Sequence, residues 1–163
     1  MADEVVLPIP NLTIPQSLFI LSNPALTHLH ENARKELLEG IKADQMAPYY
    51  RSITASASSP LPLDSTLLAD MEKANEEELK KLDDRLAEAE KTEGESEISD
   101  ALKARANYLT RIGDKEQAVE AQKLALEKTP GLGSRIDIVL TIVRIGFFFG
   151  DNELISANLA KAE

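Results

Sequence analysis

Two Gly-Asp steps, Gly113-Asp114 and Gly150-Asp151, stand 37 residues apart in the C-terminal half of the chain, each after a run of apolar residues at helical spacing. Glycine takes the left-handed backbone that ends a helix at no steric cost, and an aspartate after it caps the next helix by accepting a hydrogen bond from an orphan N–H. Asp114 and Gln117 also have the spacing of a capping box. Arg111-Ile112-Gly113 is echoed by Arg144-Ile145-Gly146, which reads as the same unit a second time. A chain punctuated in this way is committed to helices joined by tight breaks.

A helix, a short break and a second helix make an αα-hairpin, and a recurrence in the thirties is the period of stacked hairpins of the tetratricopeptide kind. Leu102, Ala106 and Leu109 form one face of the first helix, and Ala118, Ala125 and Leu126 the facing stripe of the second, which Pro130 ends. Small residues at 106, 118 and 125 let helix axes approach closely. The large aromatics of the strict repeat consensus are missing, so the repeat is divergent. The fold class expected is all-α: tetratricopeptide-like αα-hairpin repeats forming a right-handed superhelical array, preceded by short helices and one long helix.

Composition narrows the function. Aromatics make up 4% of 163 residues and there is no Trp, which leaves the core to Leu, Ile and Ala. The absence of Cys rules out disulfides and thiolate metal sites. The net charge of −10 is concentrated in residues 64–100, which hold 14 acids and 5 bases. Nucleic-acid binding needs a basic footprint, so no nucleic acid is expected. The most apolar stretch, residues 136–149, is interrupted by Asp137 and Arg144 and falls short of the ~18 residues of a membrane span. A helix buried within the repeat stack is expected there, with no membrane contact.

In chain order, residues 1–12 are expected to be a mobile tail and residues 13–62 an N-terminal helical segment. Seven of the eight prolines lie at or before Pro62. Pro15 suits a first helical turn before Leu18, Phe19 and Leu21, and the stripe Leu29, Ala33, Leu37 and Ile41 predicts a helix over about 27–43. Met46-Ala47-Pro48-Tyr49-Tyr50 opens a further short helix, and residues 56–63 are linker in composition. Residues 63–95 hold a long acidic helix capped by Asp64, with a seam at Leu68, Met71, Asn75, Leu79, Leu82, Leu86 and Ala89. Glu76 with Lys80 and Glu77 with Lys81 have the acid-first i, i+4 order of helix ion pairs. Residues 96–163 are the repeats. Their last apolar stripe, Leu154, Ile155 and Leu159, is not the polar capping helix that closes an array. The chain is therefore expected to be the N-terminal piece of a longer protein.

No catalytic, cofactor-binding or metal-ligating residue is expected, and no small-molecule substrate. His28 and His30 at i, i+2 point to different sides of a helix and cannot make the i, i+4 zinc pair. Asp83 and Asp84 lie on a solvated helix, and Gly131-Leu132-Gly133-Ser134 lacks the lysine and strand of a phosphate loop, so it reads as an interhelical turn. Lys103 and Asn107 have the identities of a tetratricopeptide clamp for a C-terminal carboxylate, but Ile138 or Thr141 stands where a second amide would be needed.

Several motifs occur in order along the chain: Met46-Ala47-Pro48-Tyr49-Tyr50, residues 71–83 (MEKANEEELKKLD), Gly94-Glu95-Ser96-Glu97-Ile98, residues 111–116 (RIGDKE), residues 135–139 (RIDIV), and Arg144-Ile145-Gly146 with Asp151-Asn152. Together they resemble the N-terminal helical-repeat portion of PCI-domain subunits of the 26S proteasome regulatory-particle lid, from about residue 12 onward. The resemblance implies a non-catalytic scaffold arm for protein–protein contacts in ubiquitin-dependent degradation, in cytoplasm and nucleus. It implies other proteasome lid subunits and the ATPase ring as partners, and truncation before a C-terminal PCI domain. The homologous first subunit of the COP9 signalosome shares that plan and is the alternative, with a peptide-binding adaptor behind it; the motifs at 46–50 and 71–83 favour the proteasome family.

Overall fold

A computed structural model of the chain describes residues 8–163. Among them there is no strand, and eight α-helices follow one another: α1 (Thr13–Ser22), α2 (His30–Ala43), α3 (Ala47–Thr54), α4 (Ser65–Thr92), α5 (Glu95–Arg111), α6 (Lys115–Lys128), α7 (Leu132–Phe149) and α8 (Asn152–Ala162). A 3-10 turn over Pro24–Leu29 leads into α2. The helix expected from residue 27 therefore starts at His30, and Leu29 leaves its stripe at 41% exposed while Ala33, Leu37 and Ile41 are buried. The Asn23 side chain explains the difference: it accepts from the Ala25 N–H and starts the tighter turn instead.

α5 folds back on α6 and α7 on α8, with α6 against α7. The two breaks use one device. Gly113 (φ 77°) and Gly150 (φ 67°) are left-handed. The Asp114 N–H donates to the Leu109 carbonyl and the Asp151 N–H to the Gly146 carbonyl, closing each helix. Each aspartate then caps the following helix, Asp114 Oδ1 accepting from Gln117 N–H (3.3 Å) and Asp151 Oδ1 from Leu154 N–H (3.0 Å). The capping box is half realised, because the Asp114 N–H that Gln117 would accept from is already spent on Leu109. Arg144-Ile145-Gly146 is not the structural counterpart of Arg111-Ile112-Gly113: it lies inside α7, and Gly150 holds the equivalent place. Gly146 serves a close approach, since a Cβ there would lie 2.7 Å from Ile155 Cγ1 and 3.2 Å from the Ile155 nitrogen.

Two apolar clusters make the core. The first joins α1, α2 and α3 through Ile14, Leu37, Ile41, Met46, Tyr49 and Tyr50, with Met71 from α4 and Phe148 from α7. The second joins α5, α6 and α7 through Ala106, Leu109, Ala118, Ala125, Ile138 and Ile142. α4 spans both, since Leu79 and Leu86 pack on the second cluster. Twenty-eight residues make it roughly 42 Å long. Asp64 caps it, accepting from Thr66 and Leu67 N–H groups. Met71, Asn75 and Ala89 of the seam are buried by the chain itself, while Leu68, Leu79, Leu82 and Leu86 stay half-buried. Lys81 faces Glu78 at i, i+3 (3.9 Å) in place of the expected Glu77, a difference worth little on an exposed face. Tyr49, Phe148 and Phe149 meet edge to face, with centroids 4.8–6.4 Å apart, and tie the first cluster to the end of α7.

Of the stretch 1–12 expected as a mobile tail, residues 1–7 lie outside the described residues and residues 9 and 10 touch the helical body. Ile9 is 8% exposed, and the Arg144 guanidinium donates to the Ile9 and Pro10 carbonyls, both at 3.0 Å. Hydrogen bonds from a charged donor are worth about 1.5–3 kcal/mol. Arg144→Leu is therefore expected to raise amide hydrogen exchange about tenfold across residues 11–14 while α7 keeps its protection; unchanged exchange there would show that the guanidinium does not hold the segment.

Candidate interaction surfaces

The side chains with chemical potential are dispersed. His28 sits in the 3-10 turn, and His30 Nε2 is 2.9 Å from the Asn23 carbonyl. Among the described residues no group of three or more His, Asp or Glu is placed to hold a metal ion, and no helix is long and apolar enough to cross a membrane. Asp83 is bound by Arg105 Nε at 2.8 Å. Leu132-Gly133-Ser134 forms the first turn of α7, with Gly131 before it, so the break is shorter than the four-residue turn expected. Pro130 and the extended Thr129 already turn the chain, and Arg135 Nη1 donates to the Leu126 and Thr129 carbonyls across the break.

Lys103 and Asn107 do not act together. Lys103 Nζ is 3.4 Å from Asp100, while Asn107 accepts from the buried Gln122, whose Nε2 also donates to Thr110. They line different hollows, Asn107 one of about 570 Å³ beside Tyr108 and Arg111, Lys103 one of about 850 Å³ at the α6–α7 break. Gln122, 1% exposed, is a core residue that the sequence reading omitted; its place between Ala118 and Ala125 on the buried stripe of α6 was the available signal.

Burial is the first cause of three of the four shifted ionisations. It pushes Tyr49 up to about 12 and raises Tyr108, and it raises Asp44 against the lowering pull of Arg111, 3.5 Å away. Asp151 shifts the other way, held down by the Leu154 N–H and by Lys115, whose Nζ is 3.1 Å away. A carboxylate with a depressed folded-state pKa adds stability above its unfolded value and loses it as pH falls through the folded value. Asp151→Ala should therefore melt below the parent at neutral pH and converge with it once the pH has dropped below the carboxylate range. A constant gap across that range would remove the ionised cap as the cause.

A groove of about 610 Å³ runs between α3–α4 and the α5–α6 break. Ala47, Leu79, Leu109 and Ile112 supply its apolar wall, and Asn75 lies in it at 6% exposed. Asn75 Nδ2 donates to the Gln45 carbonyl (2.9 Å) and to Tyr108 Oη (3.0 Å), bracing the α2–α3 corner and α5 against α4. The hollows lie at seams between helices.

Comparison with known proteins identifies the family. The sequence model of a family described as "26S proteasome subunit RPN7" matches residues 64–163. The chain is 41% identical over 155 residues to the Arabidopsis thaliana 26S proteasome non-ATPase regulatory subunit 6 homolog, covering 94% of this chain and 40% of that protein. It is 36% identical over 161 residues to the subunit 6 of Caenorhabditis elegans, covering 98% and 39%. With the Saccharomyces cerevisiae regulatory subunit RPN7 it shares 28% identity over 177 residues, covering 96% and 41%. The chain thus spans about two fifths of the length of the curated relatives it matches. The match of the family's sequence to α4 through α8, together with relatives aligned across the N-terminal helices as well, means that the chain belongs to the 26S proteasome subunit RPN7 family.

Proposed function

We propose that the chain is a non-catalytic helical arm of the 26S proteasome regulatory-particle lid, serving ubiquitin-dependent protein degradation in cytoplasm and nucleus. Its work is positional: hairpins stacked in a right-handed superhelical array hold neighbouring lid subunits, and the ATPase ring, at fixed distances. The observation that carries the reading is alignment along nearly the whole chain with proteins named as proteasome regulatory subunits. The continuity of α4 across both apolar clusters supports it, because a rod seated on two cores transmits geometry without flexing between them. The organisation proposed is an N-terminal helical segment to residue 62, the acidic helix over 63–95 and repeats over 96–163, with a PCI domain in the longer relatives.

Affinity-tagged chain, incubated with a cytosolic extract and analysed by mass spectrometry, should recover other lid or ATPase subunits above a scrambled-surface control. Recovery of none, under conditions where the full-length subunit recovers them, would refute a contact role for this part of the protein.

A further inference from the structure

A serine or threonine stands directly before a proline twice in the chain, at Ser59-Pro60 and Thr129-Pro130. The fold treats the two in opposite ways. Thr129 is 2% exposed; its hydroxyl donates to the Ala125 carbonyl (2.7 Å) and pairs with Ser99 Oγ (3.0 Å), so reaching it would mean unpacking the end of α6 from α5. Ser59 lies in residues 55–64, the longest interval between two consecutive α-helices among the described residues. Ala55, Ser56, Ala57 and Ser58 before it are exposed. Its hydroxyl donates to the Leu61 carbonyl (3.0 Å) and accepts from the Leu61 N–H (3.3 Å). Rotating the Ser59 side chain outward breaks those two local bonds and no helix.

Pro60 supplies the recognition. A proline has no N–H, so a pocket that closes over the residue after the serine without offering an acceptor takes proline and leaves other residues with a buried, unpaired donor. It also keeps Ser59 out of the helical region, in the extended form that a kinase cleft threads. We infer that Ser59 is a phosphorylation site for a proline-directed protein kinase, with ATP as phosphoryl donor. Ser59 Oγ attacks the γ-phosphorus; the Oγ–P bond forms, the bond from that phosphorus to the β,γ-bridging oxygen breaks, ADP leaves, and the hydroxyl proton passes to a carboxylate of the kinase. The phosphate undoes the turn. Esterified Oγ has no proton to give the Leu61 carbonyl, and a charge of about −1.5 to −2 is set beside that oxygen. Leu61 is 2% exposed in the first cluster with Tyr50, whose Oη donates to the Pro62 carbonyl (3.1 Å) and accepts from the Asp64 N–H (2.7 Å). The strip that ties the start of α4 to α3 is thus the one the phosphate loosens.

The site is independent of which partners the arm holds, and so is its test. The purified chain is incubated with a proline-directed kinase of the mitogen-activated class, magnesium and ATP, and the phosphate is located by tandem mass spectrometry. One phosphate on Ser59 is expected, absent in Ser59→Ala and reduced about tenfold in Pro60→Ala, the scale of one buried donor left unpaired, with Thr129 unmodified. Hydrogen exchange then compares the phosphorylated and unmodified chains. The Leu61 amide should exchange about two- to tenfold faster after phosphorylation, the loss of one hydrogen bond, while α6 keeps its rate. No phosphate on the folded chain, phosphate on Ser56 or Ser58 in place of Ser59, equal incorporation at Thr129, or full incorporation in Pro60→Ala would each overturn the site. Unchanged exchange at Leu61 would overturn the release.

Discussion

Gly113→Val is expected to destabilise the chain by about 3 kcal/mol, from two additive causes. The residue sits at φ 77°, where a side chain costs about 1–2 kcal/mol because Cβ crowds the neighbouring carbonyl. A Cβ there would also lie 2.8 Å from Tyr49 Cβ and 3.2 Å from Met46 Cε. Tyr49 is 4% exposed and locked edge to face between Phe148 and Phe149, so it has nowhere to retreat. Overpacking of that kind adds about 1–3 kcal/mol.

Two other glycines separate the causes. Gly150 is left-handed at φ 67° but open, with nothing within 4 Å of a Cβ, so Gly150→Ala should show the backbone strain alone, about 1 kcal/mol. Gly133 is neither left-handed nor crowded and lies in the first turn of α7, so Gly133→Ala should be neutral or stabilise by about 0.5 kcal/mol. Urea melts would order the three, with Gly113→Val lowest and Gly133→Ala highest. If Gly113→Val and Gly150→Ala lose the same amount, the contact with Tyr49 carries no weight.

These glycines also show where the sequence was legible. Gly113-Asp114 and Gly150-Asp151 announce themselves because a left-handed cap and an N-cap are local chemistry, decided within five residues. The stripes of α4, α5 and α6 were readable for the same reason, burial repeating at helical period. Arg144-Ile145-Gly146 misled, because identity of letters says nothing of register: Gly113 ends a helix and Gly146 lets α8 approach one. The seat of Ile9 and Pro10 on Arg144 joins residues about 135 positions apart, and no periodicity reports such a pairing. Asn75 falls on the apolar seam of α4, so its position could be read, but its bonds to Gln45 and Tyr108 depend on how three helices meet. The groove it lines was invisible for that reason.

Leu37→Ala and Ile142→Ala should each cost about 3–4 kcal/mol, and the more telling result is that both should melt the chain in a single transition. Each side chain is 0% exposed, one in the cluster of α1–α3 and the other in that of α5–α7. Removing a buried aliphatic side chain costs about 2–5 kcal/mol once the residual cavity is counted. A domain of this size has roughly 5–15 kcal/mol to lose, so either change is severe. Were the clusters independent, Leu37→Ala would unfold the first and leave α5–α8 standing. The structure argues otherwise. Met71 belongs to one cluster while Leu79 and Leu86 of the same helix pack on the other, and Phe149 packs against both. Freeing α1–α3 would strip the cover from half of α4 and expose Phe148 at the end of α7. Hydrogen exchange in low urea would decide the matter: protection in α2 and in α7 should fall together in both variants, with the urea slope unchanged. Loss confined to one cluster would mean that α4 is a hinge, which the proposed positional role does not allow.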